Sequence, residues 1–506
     1  MMRPMVMQRP AVMQRAGAEA AGWGAALALA LIAVAVVAST SSWLLYRDGD
    51  SVVVALMADS LRRGEPQDWA LSPVLFLPET AVYGALSFLG LGTVGTLTLN
   101  AVVNLLAVYG GIRLVAGRFR PGARPVAGSV LAFAAFVALI VLEVPDGMPG
   151  FHLALLAATT TYYSATVVGT LVVVGLLRRT LDGTPPVRTA PVTVLVVAVS
   201  TLTNPLFVVW CVLPAVGAVG ILVVRRRIDP RLAFVLLLSI TGAAAVGYLL
   251  RAPFAGTIVA AGGNYLRPDR AGAAIAHLAE VSGATMSRWN GALWFAAVLA
   301  LVVACVVIGL RAWRRRDAVV AAVCGIAAAA PIAATALVIV AGTDADRYLQ
   351  PWVFLPILVL AVAPPAVSVP RAVSGALVSA LAVGGVAAVP VTVAAVGRHD
   401  VDLACVTRWV EQSGRTGAGQ FWTVRAPKLA LADPSQLIQV DNTLRPYDWL
   451  VNRAERRGPV TFLVQDAASV PFVLPVGAET PDRVACGRYT ILDFGSRVLP
   501  LGEPRN

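Results

Sequence analysis

The sequence predicts an all-α polytopic membrane bundle of about eleven transmembrane helices, followed by a small extracytoplasmic α/β domain at the C-terminus. Three observations carry that prediction. Hydrophobic residues make up 58% of the 506 and charged residues only 13%, with a mean hydropathy of +0.76, which excludes a string of soluble domains. Apolar runs of about twenty residues recur from Trp23 to Val396, the length a helix rising about 1.5 Å per residue needs to cross hydrocarbon. After Val396 those runs stop and short alternating segments take over.

A polar tail, residues 1–22, leads into a transmembrane region spanning 23–396. The expected crossings are Trp23–Leu45, Thr93–Val115, Val126–Leu142, His152–Leu177, Ala190–Thr203, Pro205–Val224, Leu232–Leu250, Gly291–Ala312, Ala318–Ala341, Leu349–Ala363 and Ala372–Val396. The first has no small-residue cleavage site before Tyr46-Arg47, so it is read as a helix and not as a signal peptide. The fifth is short for a full span and is expected to tilt, or to form a tight hairpin with the sixth around Asn204-Pro205.

Charge sets the expected orientation. With the N-terminus inside, the inner segments hold 19 basic residues against 4 acidic ones (Glu19, Asp182, Asp229 and Asp317), and the outer loops hold 8 against 12. That asymmetry obeys the positive-inside rule, so the chain is expected in the plasma membrane with a cytoplasmic N-terminus and an extracytoplasmic tail. The net charge of +12 and pI near 10.1 point elsewhere to nucleic acid. Here the excess sits in short inner loops and builds no basic face, so membrane lipid is the expected partner and nucleic acid is not.

Three outer pieces share one face: 46–92, 251–290 and the tail 397–506. Polar mass concentrated there places the chemistry or the binding on that side. In the tail, Leu403, Val406 and Val410 mark one face of a helix over Asp400–Gln412. Strands are expected at Gln420–Val424, Leu437–Val440, Val460–Val464 and Tyr489–Phe494, with a helix over Pro446–Arg457. Cys211, Cys305 and Cys324 lie in apolar spans as small hydrophobes. Cys405 and Cys486 both fall in the outer tail, where an oxidising environment predicts a disulfide between them.

The most informative stretch is Arg47-Asp48-Gly49-Asp50-Ser51, directly after the first crossing. Two carboxylates one residue apart at the lipid boundary can take a proton from an acceptor or ligate a divalent cation, magnesium or manganese. By itself Asp-x-Asp also suits a solvated turn. The loop continues through Asp59 to Gly64-Glu65-Pro66-Gln67-Asp68-Trp69 and on to Phe76-Leu77-Pro78-Glu79.

A first span, an acid just beyond it and a long outer loop with interfacial helical pieces resemble the GT-C class of multi-pass glycosyltransferases. The string of aspartate, Trp, Pro, Phe and Pro-acid also resembles bacterial membrane proteins of the same layout. The resemblance implies a polyprenyl-phosphate sugar as donor and a glycan, lipid or protein of the cell envelope as acceptor. It implies Asp50 as the base that deprotonates the acceptor, with Asp48 as second choice, and Glu79 as a supporting or metal-contacting acid. One displacement at the anomeric carbon, with inversion, would follow.

The departing phosphate calls for a cation in a low-dielectric setting. Arg347, with its neighbour Tyr348, is the first choice, in the short outer turn Asp344-Ala345-Asp346-Arg347-Tyr348. Snorkelling or pairing with Asp344 or Asp346 would explain the same arginine, and Arg251, Arg267, Arg270 and Arg288 are alternatives. His152, after Glu143, Pro145 and Asp146, can hydrogen-bond a sugar or a pyrophosphate, or simply close a helix start. Trp69 can stack on a sugar, although Trp69, Trp289, Trp294 and Trp352 also fit an interfacial belt. Two other function classes compete with the transferase: a secondary transporter and a non-catalytic envelope scaffold. Ion-coupled transporters place ionisable groups near the bilayer centre, and the expected spans have no Asp, Glu, Lys or Arg in their middles.

Overall fold

The computed structural model describes residues 8–120, 124–143, 145, 147–259, 266–364, 371–475 and 481–505. Asp146 and Arg3 lie outside them. Among the described residues, nine helices are long and apolar enough to cross a bilayer, and they match the expected spans one to five, seven to nine and eleven. Their outward faces carry Leu and Val side chains, as at Leu293, Leu299, Val303 and Leu310 of the helix Trp289–Arg314, which suits a hydrocarbon solvent.

Two expected spans, the sixth and the tenth, take a different form and the fourth starts later than expected, each for a local reason. The sixth is a shorter apolar helix, Val208–Val224, that opens with a π-helical turn over Val208–Val212. Asn204 breaks the chain just before it, donating Nδ2 to Thr166 Oγ1 at 3.0 Å and accepting from the Leu206 N–H at 3.0 Å. The tenth is divided into Pro351–Phe354 and Leu358–Val362, because Pro356 between them has no N–H to continue the ladder. The fourth starts at Ser164 and not at His152. The twelve residues before it fold back without regular helix apart from a 3-10 turn at Leu155–Ala158. Glu143 holds that segment by accepting the backbone N–H groups of Leu153, Ala154 and Leu155 at 2.8, 2.6 and 2.9 Å.

The described strands are β1 (Trp69–Ala70), β2 (Thr416–Gly419), β3 (Leu437–Gln439), β4 (Val451–Asn452), β5 (Val460–Gln465), β6 (Asp482–Cys486) and β7 (Tyr489–Asp493). Five of them form one sheet in the order β3-β2-β5-β7-β6, with β3, β2 and β5 parallel and β7 and β6 antiparallel. The helix Val401–Ser413 buries Val406 and Val410 against this sheet, on the face expected from the sequence. Cys405 on that helix is bonded to Cys486 on β6, with the Cα atoms 5.4 Å apart.

Two tail assignments need correction. Gln420–Val424 is not a strand: it opens the helix Phe421–Ala430, and the strand is the preceding Thr-Gly-Ala-Gly of β2. Only glycine fits there, since a Cβ on Gly417 would stand 2.1 Å from the Phe462 ring. Pro446–Arg457 is not a helix but β4 and a 3-10 turn at Arg453–Glu455. Gln439 Nε2 donates to the carbonyls of Tyr447 and Trp449, both at 2.8 Å, and so takes two acceptors that a helix would have used internally.

The sheet domain is docked on the membrane helices. β4 pairs antiparallel with β1, Arg453 binds Asp68 at 2.6 Å, and Arg47 binds Asp400 at 3.1 Å. Leu71 bridges to Ile258, and Arg251 Nη2 donates to the Pro73 carbonyl at 2.5 Å. The loops expected outside and the tail therefore meet at one end of the bundle.

Candidate active site

A short helix, Ser42–Tyr46, ends at Arg47, and the helix Val53–Arg62 begins after one tight turn. Within that turn Asp48 is 2% exposed, and its Oδ2 accepts from the Ser51 N–H and the Tyr162 hydroxyl, both at 2.9 Å. The Thr161 and Thr160 hydroxyls donate to the backbone carbonyls of Asp50 and Ser51 at 2.6 and 2.7 Å. The fold-back segment thus pins the turn by its backbone, and the Asp50 side chain is left to face the adjoining cavity.

That cavity measures about 890 Å³. Asp50, Arg347, Tyr348, Tyr163, Arg251 and Trp449 line its polar and aromatic part, and residues such as Val74, Pro205, Val209, Leu249 and Leu337 line an apolar part. Arg347 Nε donates to the Tyr163 hydroxyl at 3.1 Å, and Gln350 Nε2 donates to the Tyr162 carbonyl at 3.1 Å, which ties the Asp346–Leu349 turn to the fold-back segment. Phe76, Tyr163 and Leu450 hold φ of 52°, 69° and 52°, and all three line this cavity. Bulky residues in the left-handed region are strained, and strain of that kind concentrates where surrounding structure enforces a functional shape.

Burial dominates the electrostatics. It pushes the Asp48 carboxyl up to about 7, aided by the negative charge of Asp50. Asp50 is also raised by burial, while Arg347, Arg425 and the Tyr162 hydroxyl pull it back toward the ionised form. One carboxylate of the pair is therefore held by hydrogen bonds in the wall, and the other is answered by guanidinium groups.

The remaining sequence candidates divide around this cavity. Arg251 reaches its wall, anchored by Nη1 to the Leu202 carbonyl at 2.5 Å. Glu79 does not line it: the carboxylate is 5% exposed, faces the start of the helix Ser164–Leu181 and accepts from the Ala165 N–H at 3.3 Å, with burial raising it to about 7. Trp69 is buried in β1, donates its indole N–H to Gln67 at 3.0 Å and is not among the residues that line the cavity. His152 lies outside the lining, near Asp346, which binds His277 at 3.1 Å. Arg267 pairs with Asp269, and Arg288 caps the carbonyls of Pro149 and Ala284. Asp48, Asp50 and Glu79 are not gathered into one ligand set, and the described residues contain no group of three His, Cys, Asp or Glu spaced to hold a metal ion.

Sequence reasoning passed over Tyr162, Tyr163, Gln350, Arg425 and Trp449. The first three lie in segments read as ordinary span, and the last two in a tail with no motif. No family model, curated protein or solved structure matches the chain.

Proposed function

We propose that the protein is a membrane glycosyltransferase that moves a sugar from a polyprenyl-phosphate donor to an acceptor of the extracytoplasmic cell envelope. One observation carries this reading: a carboxylate, Asp50, and a guanidinium, Arg347, share a cavity of about 890 Å³ whose remaining wall is largely apolar. That volume is within the range of about 300–1,000 Å³ usual for ligand sites, and its two characters suit a ligand with an anionic head and a hydrocarbon chain.

In the reaction, the acceptor hydroxyl oxygen attacks the anomeric carbon and Asp50 takes its proton. The bond from that carbon to the phosphate oxygen breaks, and its electron pair stays on the phosphate. Arg347 offsets the charge that grows there, and burial strengthens the attraction. Tyr163 orients Arg347 through the 3.1 Å hydrogen bond to Nε.

The test is transfer of labelled sugar from a polyprenyl-phosphate donor by the full-length protein in membranes. Asp50→Asn is expected to lower kcat by about 100-fold or more while membrane insertion persists. Unchanged transfer in that variant dismisses Asp50 as the base. The same reading puts this end of the bundle outside the cytosol, with the N-terminus inside. A cysteine introduced at exposed Ser496 is expected to react with a membrane-impermeant maleimide on intact cells. Reaction only after permeabilisation would reverse the orientation and remove the envelope acceptor.

A further inference from the structure

We propose that the sheet domain is part of the reaction site, with Arg425 as the buried positioning residue that holds the Asp50 carboxylate at the cavity wall. The catalytic consequence rests on the transferase reading; the pairing itself does not. The domain grips the turn at alternate positions. Arg47 binds Asp400 at 3.1 Å. Gly49 lies so close to the helix Phe421–Ala430 that a Cβ there would stand 2.7 Å from the Phe421 ring and 3.0 Å from the Trp422 ring. Arg425 projects from that same helix, and Leu450, whose carbonyl accepts from Arg425 Nη1, lines the same cavity as Asp50, so the two opposite charges face each other across the contact between turn and helix.

Arg425 has no exposed surface, although it belongs to the residue type most often found in water. Its guanidinium lies 5.2 Å over the Phe421 ring, and Nη1 donates to the Leu450 carbonyl and to Gln439 Oε1. Nε and Nη2 have no hydrogen-bond partner among the described residues. A buried guanidinium in that state is costly unless an anion answers it. The carboxylates whose charge bears on it are Asp50, Glu455 and Asp48. Glu455 is engaged by Lys428 at 2.7 Å, and Asp48 by Ser51 and Tyr162. Asp50, whose carboxylate has no ion pair within 4 Å among the described residues and which Arg347 also attracts, is the anion left to answer it. Arg425 is not among the residues that line the cavity, and it acts through Asp50. Two guanidinium charges, one from the membrane region and one from the sheet domain, therefore act on this one carboxylate.

A double-mutant cycle on the full-length protein tests the pairing, read as apparent Tm without substrate. Arg425→Met alone removes one of the two guanidinium groups that offset the Asp50 charge and is expected to lower Tm. Adding Asp50→Asn is expected to restore at least half of that loss. Additive losses overturn the proposal. If Arg425→Met alone fails to accumulate, recovery of folded protein in the double variant supports the pairing and failure to recover overturns it. In the transfer assay, Arg425→Met is expected to cut kcat about 100-fold with donor KM within about twofold, and Arg425→Lys to restore most of the rate. A raised KM with unchanged kcat overturns the positioning role. Should the wild type transfer no sugar, the enzyme reading fails, and the thermal cycle still decides the pairing.

Discussion

Asp48 and Asp50 are one residue apart and have opposite surroundings. Asp48 is closed in by Ser51 and Tyr162, whereas Asp50 faces the cavity and two guanidinium groups. An Asn at position 48 keeps an acceptor for both donors and removes a buried charge, so Asp48→Asn is expected to retain transfer where Asp50→Asn loses it. The pH dependence follows from the sign of the shift. With its pKa raised from 3.8 to about 7, folded Asp48 binds its proton more tightly than the unfolded chain does. Its contribution to stability is therefore greatest below the unfolded value and declines as pH rises to about 7, by an amount on the order of a few kcal/mol. Thermal melts across that window are expected to show the decline in the wild type and a flatter profile in Asp48→Asn. The Asp-x-Asp pattern was legible in the sequence, but not which carboxylate faces the cavity, because residues more than a hundred positions away make that choice.

Among the elements, the fold-back segment before the helix Ser164–Leu181 does the most to shape the site. Its run Leu153–Ala158 is as apolar as any membrane helix, so hydropathy extended the span to His152. The carboxylate of Glu143 decides otherwise, by satisfying three backbone N–H groups that a helix would have paired internally. Glu143→Ala leaves those donors unanswered and is expected to cost about 3 kcal/mol or more. Hydrogen exchange at the amides of residues 153–155 should accelerate in that variant, and transfer should fall as Tyr162 and Tyr163 lose their placement. Unchanged exchange would show that the segment is held by packing alone. Similarly, Pro356 marks in the sequence where the tenth span is interrupted, but the sequence does not say that both halves stay packed in the core.

For the molecule as a whole, the relation between the membrane helices and the sheet domain matters most. Phe421 and Leu450 of that domain belong to the same buried cluster as the membrane helices. Gly49 packs tightly against the sheet domain beside the site, where a Cβ would stand 2.7 Å from the Phe421 ring. Gly49→Val would force Phe421 and Trp422 away, so it is expected to loosen the domain and to lower transfer along with Arg425→Met. Limited proteolysis checks this: faster cleavage between residues 396 and 401 in the variant is the expected sign, and wild-type resistance with full activity would refute it.

Composition and the length of the apolar runs were enough to indicate a bundle of helices long and apolar enough to cross a membrane, with a small mixed domain after it, because transfer into hydrocarbon is summed over residues and does not depend on their partners. The positions of Asp50, Arg347 and the cysteine pair were also readable, since each carries its chemistry in its residue type. Tertiary structure alone decided that Glu79, Trp69 and His152 stand away from the cavity, that Tyr162, Tyr163 and Trp449 stand close to it, and that the helix carrying Arg425 packs on the turn of Asp48 and Asp50 from another domain. Those outcomes depend on where distant segments meet, and hydrogen bonds and ion pairs in a low-dielectric interior form between groups that the linear chain keeps hundreds of residues apart.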